Sequence, residues 1–128
     1  MSAAPKTRPH YYDLNLAHLP PPGLVSIFHR ISGAALFFPI LPLALYILST
    51  TLASQEGYDR WATLFARPGM KVIAVAASWA YAHHFFAGLR YLLLDLHIGI
   101  DKAPARGSAI AVLVLGFLGA LSVALCIW

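Results

Sequence analysis

Six side chains in two short stretches could do chemistry. Ser26, His29 and Arg30 stand at the mouth of one long apolar segment, and His83, His84 and Arg90 lie inside a second. A charged side chain near the centre of a bilayer costs about 2.5 kcal/mol at the lowest, so such residues usually face a bundle interior and mark function.

His84 is the strongest candidate. Residues three, four and seven positions away share its face on a helix, and these are Ala77, Ala80, Tyr81, Ala87, Gly88 and Tyr91. Most are alanine or glycine, which leaves the backbone-level clearance that a flat macrocycle needs beside an axial imidazole. Haem iron held by histidine is one use of such a site. The same spacing also suits a histidine bonded to a carbonyl of a neighbouring helix, or a plain packing stripe. His83 points ~100° away from His84, toward Trp79, Ala87 and Arg90, and reads as a packing or hydrogen-bonding residue. One side chain of this helix suits axial ligation. A six-coordinate haem would need its second ligand from a partner chain, since His29 lies at a span end and is expected to be too shallow.

Ser26 and Arg30 are four residues apart on one helical face, with His29 beside them. They offer a hydroxyl, a permanent cation and a titratable imidazole at the membrane–water boundary. Arginine suits carboxylates, including haem propionates. A quinone carbonyl also needs donors of this kind, and its reduction takes up protons from water or a nearby acid. The plainer alternative is a snorkelling Arg30 with Ser26 as a helix N-cap.

Three apolar segments must position these groups, at about 24–53, 70–95 and 108–128. The first is opened by Pro20-Pro21-Pro22-Gly23, which places the helix start near Pro22 or Gly23. Pro39 and Pro42 fall inside it and predict a bend. Residues 54–69 carry Trp61, Leu64 and Phe65 at helical spacing, as in an interfacial helix with its aromatic face among the headgroups. Residues 97–107 read as a polar link holding Asp101, Lys102 and Arg106. In the last segment Gly116, Ala120 and Ala124 form a small-residue stripe, read as a packing surface, and its ~20 residues match a ~30 Å hydrocarbon core. Trp128 is expected to anchor at an interface.

With 128 residues, 59% hydrophobic and 11% charged, the chain is too apolar for a soluble domain and too short for a second one. The expected organisation is a cytoplasmic N-terminal segment, 1–23, and a three-span membrane domain, 24–128. The net charge of +4 is spread over segment ends, which argues against nucleic-acid binding. Lys6, Arg8, Arg30, Lys102 and Arg106 fall on the N-terminal side, with Arg90 near it, against Arg60, Arg67 and Lys71 on the other, so the N-terminus is expected inside. The segment 1–23 has neither the pattern of a cleavable signal nor that of a transit peptide, which favours a bacterial inner membrane. The single cysteine, Cys126, rules out an internal disulfide or a thiolate cluster and reads as a packing residue.

These residues carry a family resemblance. Arg8-Pro9 is followed by Ser26-Ile-Phe-His29-Arg30-Ile-Ser32-Gly33, then by His84-Phe-Phe-Ala-Gly88-Leu-Arg90 and Asp95. The order and spacing resemble the cytochrome b membrane-anchor subunit of succinate dehydrogenase, respiratory complex II, over nearly the whole chain. The resemblance implies an all-α membrane protein whose three helices form half of a bundle completed by a second small anchor subunit. It implies that His84 ligates haem b opposite a histidine of that subunit, that Ser26 and Arg30 line the ubiquinone site, and that His29 and Arg30 lie near the haem propionates. Arg90, Tyr91 and Asp95 would play supporting parts. FAD and iron–sulfur clusters would belong to the flavoprotein and iron–sulfur subunits docked on the cytoplasmic face, with no dicarboxylate site on this chain. Tyr91 stands where the family usually has histidine or phenylalanine, so the aromatic bulk is kept and the basic imidazole is not. Two further readings are the anchor of a quinol:fumarate reductase and a haem-free structural or proton-path subunit. Three spans without repeated halves do not resemble a transporter.

Overall fold

Proline chemistry sets the course of the first span. In the computed structural model, which describes residues 18–128, helix α1 covers Pro21–Ala35, starting after an extended Pro20. The chain continues without a break through a π-helical turn, Leu36–Ile40, into α2, Leu41–Ala53. Pro39 lies inside the π turn and has no N–H to offer. The ladder adapts by widening, and the Leu41 N–H bonds the Leu36 carbonyl five residues back. The bend expected from the prolines is thus a π turn at Pro39, while Pro42 is absorbed in the first turn of α2.

Ser54 takes an extended conformation that ends α2 and caps α3, Gln55–Phe65, by accepting the Gly57 N–H at 3.0 Å. A Cβ on Gly57 would collide with the Thr50 carbonyl, so glycine is what lets α3 fold back onto α2. The aromatic face expected among the headgroups is turned inward at one position. Trp61 donates its indole N–H to the Thr50 hydroxyl at 2.8 Å and meets Tyr46 edge-on.

Helix α4, Pro68–Asp95, ends in a Schellman turn. The Ile98 N–H reaches the Leu93 carbonyl and the His97 N–H that of Leu94, with His97 left-handed at φ 60°. Helix α5 then runs over Lys102–Ile127. It begins six residues before the predicted span, and the supposed polar link is shortened accordingly. Residues 102–107 are polar yet helical, because a helix longer than the ~20 residues needed to cross the core can project into the headgroups.

Helices α4 and α5 pack closely through small residues. A Cβ on Gly119 would lie 2.7 Å from the Ala82 Cβ, and one on Gly116 would lie 3.2 Å from the His83 Cβ. The buried side of α5 is Ala109, Val112, Gly116 and Ala120, and it faces Ala80, His83, Ala87 and Arg90 of α4. Without a hydrophobic drive in lipid, this close approach supplies the dispersion contacts that hold helices together. Helix α1 completes the core with Val25 and Ser32, whereas α2 buries no residue and leans on α3. Lys71 bonds the Ile127 carbonyl and lies 5.4 Å from the exposed Trp128 ring, fixing the chain's far end. Cys126, expected to pack, is exposed on α5.

Three helices are long and apolar enough to cross a membrane, and the protein is an all-helical, multi-pass membrane protein. Residues 1–17, which include Lys6, Arg8-Pro9 and most of the expected N-terminal segment, lie outside the described residues.

Candidate functional site

Adjacent histidines on α4 meet opposite fates. His83 is fully buried between α1, α4 and α5, stacked on Trp79 at 5.3 Å and edge-on to Phe28 at 5.9 Å. Neither ring nitrogen has a hydrogen bond of full geometry among the described residues, although the Val25 backbone lies near enough to act as a weak partner. His83 is therefore the packing residue of the pair. A buried imidazole with only a weak polar partner is a liability, since leaving a buried polar group unsatisfied costs about 1–3 kcal/mol. His83→Phe keeps the aromatic contacts and removes both nitrogens. It should raise the temperature at which the assembled protein is lost, by an amount corresponding to about 1 kcal/mol, with visible absorbance unchanged. A thermal series read on native gels checks this.

His84 is half-buried and faces α1. Its Nδ1 lies 3.2 Å from the His29 carbonyl and 3.4 Å from the Ser32 hydroxyl, which itself donates to the same carbonyl at 3.1 Å. A carbonyl only accepts, so Nδ1 carries the proton and Nε2 presents its lone pair. Nε2 has no hydrogen-bond partner among the described residues. Metal-ligating histidines are commonly oriented by just such a bond from the other ring nitrogen. The alternative reading of a histidine bonded to a neighbouring helix's carbonyl is thus correct for Nδ1, and it leaves Nε2 free for ligation.

His84 borders an open apolar groove of about 630 Å³, with Gly33, Leu36, Phe37, Ala44 and Tyr81 among its walls. Clearance comes from the first span more than from α4. Ala80 and Ala87, expected beside His84, are buried on the His83 side. Gly33 is the residue that admits the ring, because a Cβ there would lie 2.9 Å from His84 Cε1.

His29 is not the shallow residue expected from its place in the sequence. Its ring stacks on His84 at 4.3 Å and 8°, passes over Gly88, and meets Tyr91 at 5.1 Å. Parallel rings in face contact leave no room for an ion between them, so His29 does not oppose His84 as a second axial ligand in this arrangement. Among the described residues, no group of three or more metal-binding side chains converges.

The other candidates divide. Ser26 is half-buried and Arg30 exposed on α1, and neither has a hydrogen-bond partner among the described residues. Arg90 is turned away from His84. It is 6% exposed and clamps α4 to the start of α5, donating from Nε to the Ser108 hydroxyl at 3.0 Å and from Nη2 to the Ala105 carbonyl at 3.2 Å, with Tyr91 5.6 Å away. Those charge-assisted bonds make its burial tolerable. Asp95 is the exposed last residue of α4. The Ser32 hydroxyl, the His29 carbonyl and Gly33 were not among the site residues predicted from sequence. Ser32 and Gly33 lie in the quoted stretch, but nothing local in it shows that they meet His84.

The family described as succinate dehydrogenase/fumarate reductase transmembrane subunit matches residues 4–123. The chain is 36% identical over 125 residues to the succinate dehydrogenase cytochrome b556 subunit of Coxiella burnetii, covering 94% of this chain and 97% of that relative. It is 32% identical over 96 residues to the subunit of the same name from Rickettsia felis, covering 74% and 70%.

Proposed function

We propose, on the premise that this chain belongs to the succinate dehydrogenase/fumarate reductase transmembrane-subunit family, that it is the haem b-binding anchor of a succinate:ubiquinone oxidoreductase in a bacterial inner membrane. The observation that carries this reading is the His84 imidazole, whose Nδ1 is bonded to the His29 carbonyl and whose Nε2 is left free beside an apolar groove. That donor set would suit haem iron, with a further histidine ligand supplied by a second small anchor subunit. The name cytochrome b556 of the two relatives agrees with it. When bound, haem b supplies a one-electron redox centre.

This chain's own residues hold and orient. His84 would ligate the iron, and His29 and Arg30 would hold the propionate side. Ser26 and Arg30, one turn apart in the middle of α1 and without a hydrogen-bond partner among the described residues, donate hydrogen bonds to the ubiquinone head. The guanidinium stays charged, so it favours the negative charge that grows on the quinone oxygen as electrons arrive. Water at the helix mouth supplies protons. Arg90 supports the site by holding α4 against α5, Tyr91 by packing on His29, and Asp95 marks the same boundary. Succinate oxidation belongs to the FAD of the flavoprotein, and electrons come through the clusters of the iron–sulfur subunit. Both dock on the cytoplasmic side, the side on which the excess of Lys and Arg favours the N-terminus.

Purification of the intact assembly tests the reading. It should carry a b-type haem in a 1:1 ratio to flavin and reduce ubiquinone with succinate as donor. An assembly whose only chromophores are flavin and iron–sulfur clusters would falsify it.

A further inference from the structure

We propose that the Ser32–Gly33 step of α1 is a seat that sets the tilt and the tautomer of the His84 imidazole. This rests on the reading of His84 as axial ligand and extends it to two residues with no assigned part.

Three observations meet at this step. Gly33 has no side chain where the His84 ring lies, and a methyl group there would come within 2.9 Å of Cε1 and 3.3 Å of Nδ1. Real Cβ atoms essentially never approach so closely, so the ring would have to shift. Ser32 is 1% exposed, and its hydroxyl donates to the His29 carbonyl at 3.1 Å while standing 3.4 Å from Nδ1. The His29 carbonyl accepts from both, so the hydroxyl shares the acceptor that fixes the imidazole proton on Nδ1.

The two residues act on different properties. Gly33 sets how deeply the ring can sit against α1, and hence the direction of the Nε2 lone pair. Ser32 tunes how strongly Nδ1–H is held by the carbonyl, and hence the electron-donating strength of Nε2. Both are positioning residues that act through His84. The loss of such partners typically weakens metal binding by ~10–100-fold.

The test uses the complete, membrane-extracted complex carrying Gly33→Ala, Ser32→Ala, Ser32→Thr or His84→Leu. Each is read by haem per flavin, by the low-spin ferric EPR signal, and by the rate of haem transfer to apomyoglobin. Gly33→Ala should keep flavin and clusters, shift the low-spin signal, and speed haem transfer ~10-fold or more. Ser32→Ala should shift the signal less, and Ser32→Thr, which keeps the hydroxyl, should restore it. A wild-type signal and transfer rate in Gly33→Ala, with haem missing from His84→Leu, would overturn the seat and leave the ligand reading standing. Haem retained in His84→Leu would overturn the ligand reading and the seat with it. Should Gly33→Ala fail to assemble, the serine pair decides, and identical wild-type signals from Ser32→Ala and Ser32→Thr overturn the proposal.

Discussion

His84→Leu should abolish the reduced b-type absorption band of the assembled complex. Leucine fills a similar space beside the groove and brings no lone pair, so the iron would lose the ligand proposed at this position. The neighbouring residue is the control built into the fold. His83 is fully buried against Trp79 and Phe28, so His83→Phe should keep the full band. Flavin retained in the membrane fraction shows that the anchor still assembles. A full-strength band in His84→Leu would remove this histidine from the haem.

The second large effect is expected at the mouth of α1. Arg30→Leu should lower succinate-driven ubiquinone reduction by ~10–100-fold, since a hydrogen bond to a charged group contributes about 1.5–3 kcal/mol. Ser26→Ala removes a neutral donor, so its loss should be a few-fold, corresponding to about 1 kcal/mol. Reduction of a soluble dye, which takes electrons before the quinone, should stay at wild-type rate in both. Equal loss of dye and quinone activity would indicate damage to subunit docking and count against a quinone role.

Much of the architecture was legible because its causes are local. Runs of apolar residues long enough to cross lipid and prolines that cannot donate act through their own backbone and have their expected consequence. Of the Gly116, Ala120 and Ala124 stripe, the first two are buried against α4 while Ala124 stays half-buried. The reading was less successful where polarity stood in for conformation. Residues 102–107 look like a link and are helix, because a helix end outside the hydrocarbon tolerates charge. Trp61 was read from its helical spacing with Leu64 and Phe65, and its course was decided by Thr50, eleven residues away. The candidate site shows the same division. His84 was visible as an ionisable group among small residues. Its tautomer was not, because that depends on a backbone carbonyl 55 residues distant, which no side-chain pattern encodes. The depth of His29 was misjudged because the helix begins at Pro21, two turns before it.

The widened turn at Leu36–Ile40 has a consequence for engineering. One extra residue in a helical turn rotates everything beyond it by roughly 100°. Thus α2 does not continue the face that α1 presses on α4; it splays toward α3 and keeps Leu41 and Ala44 on the groove's rim. The hollow beside His84 therefore lies between this widened span and α4, with its first-span wall set by main-chain geometry. Trimming or enlarging a single lining side chain changes its volume only slightly, whereas straightening the span by removing one residue between 36 and 40 would swing a wall of leucines across it.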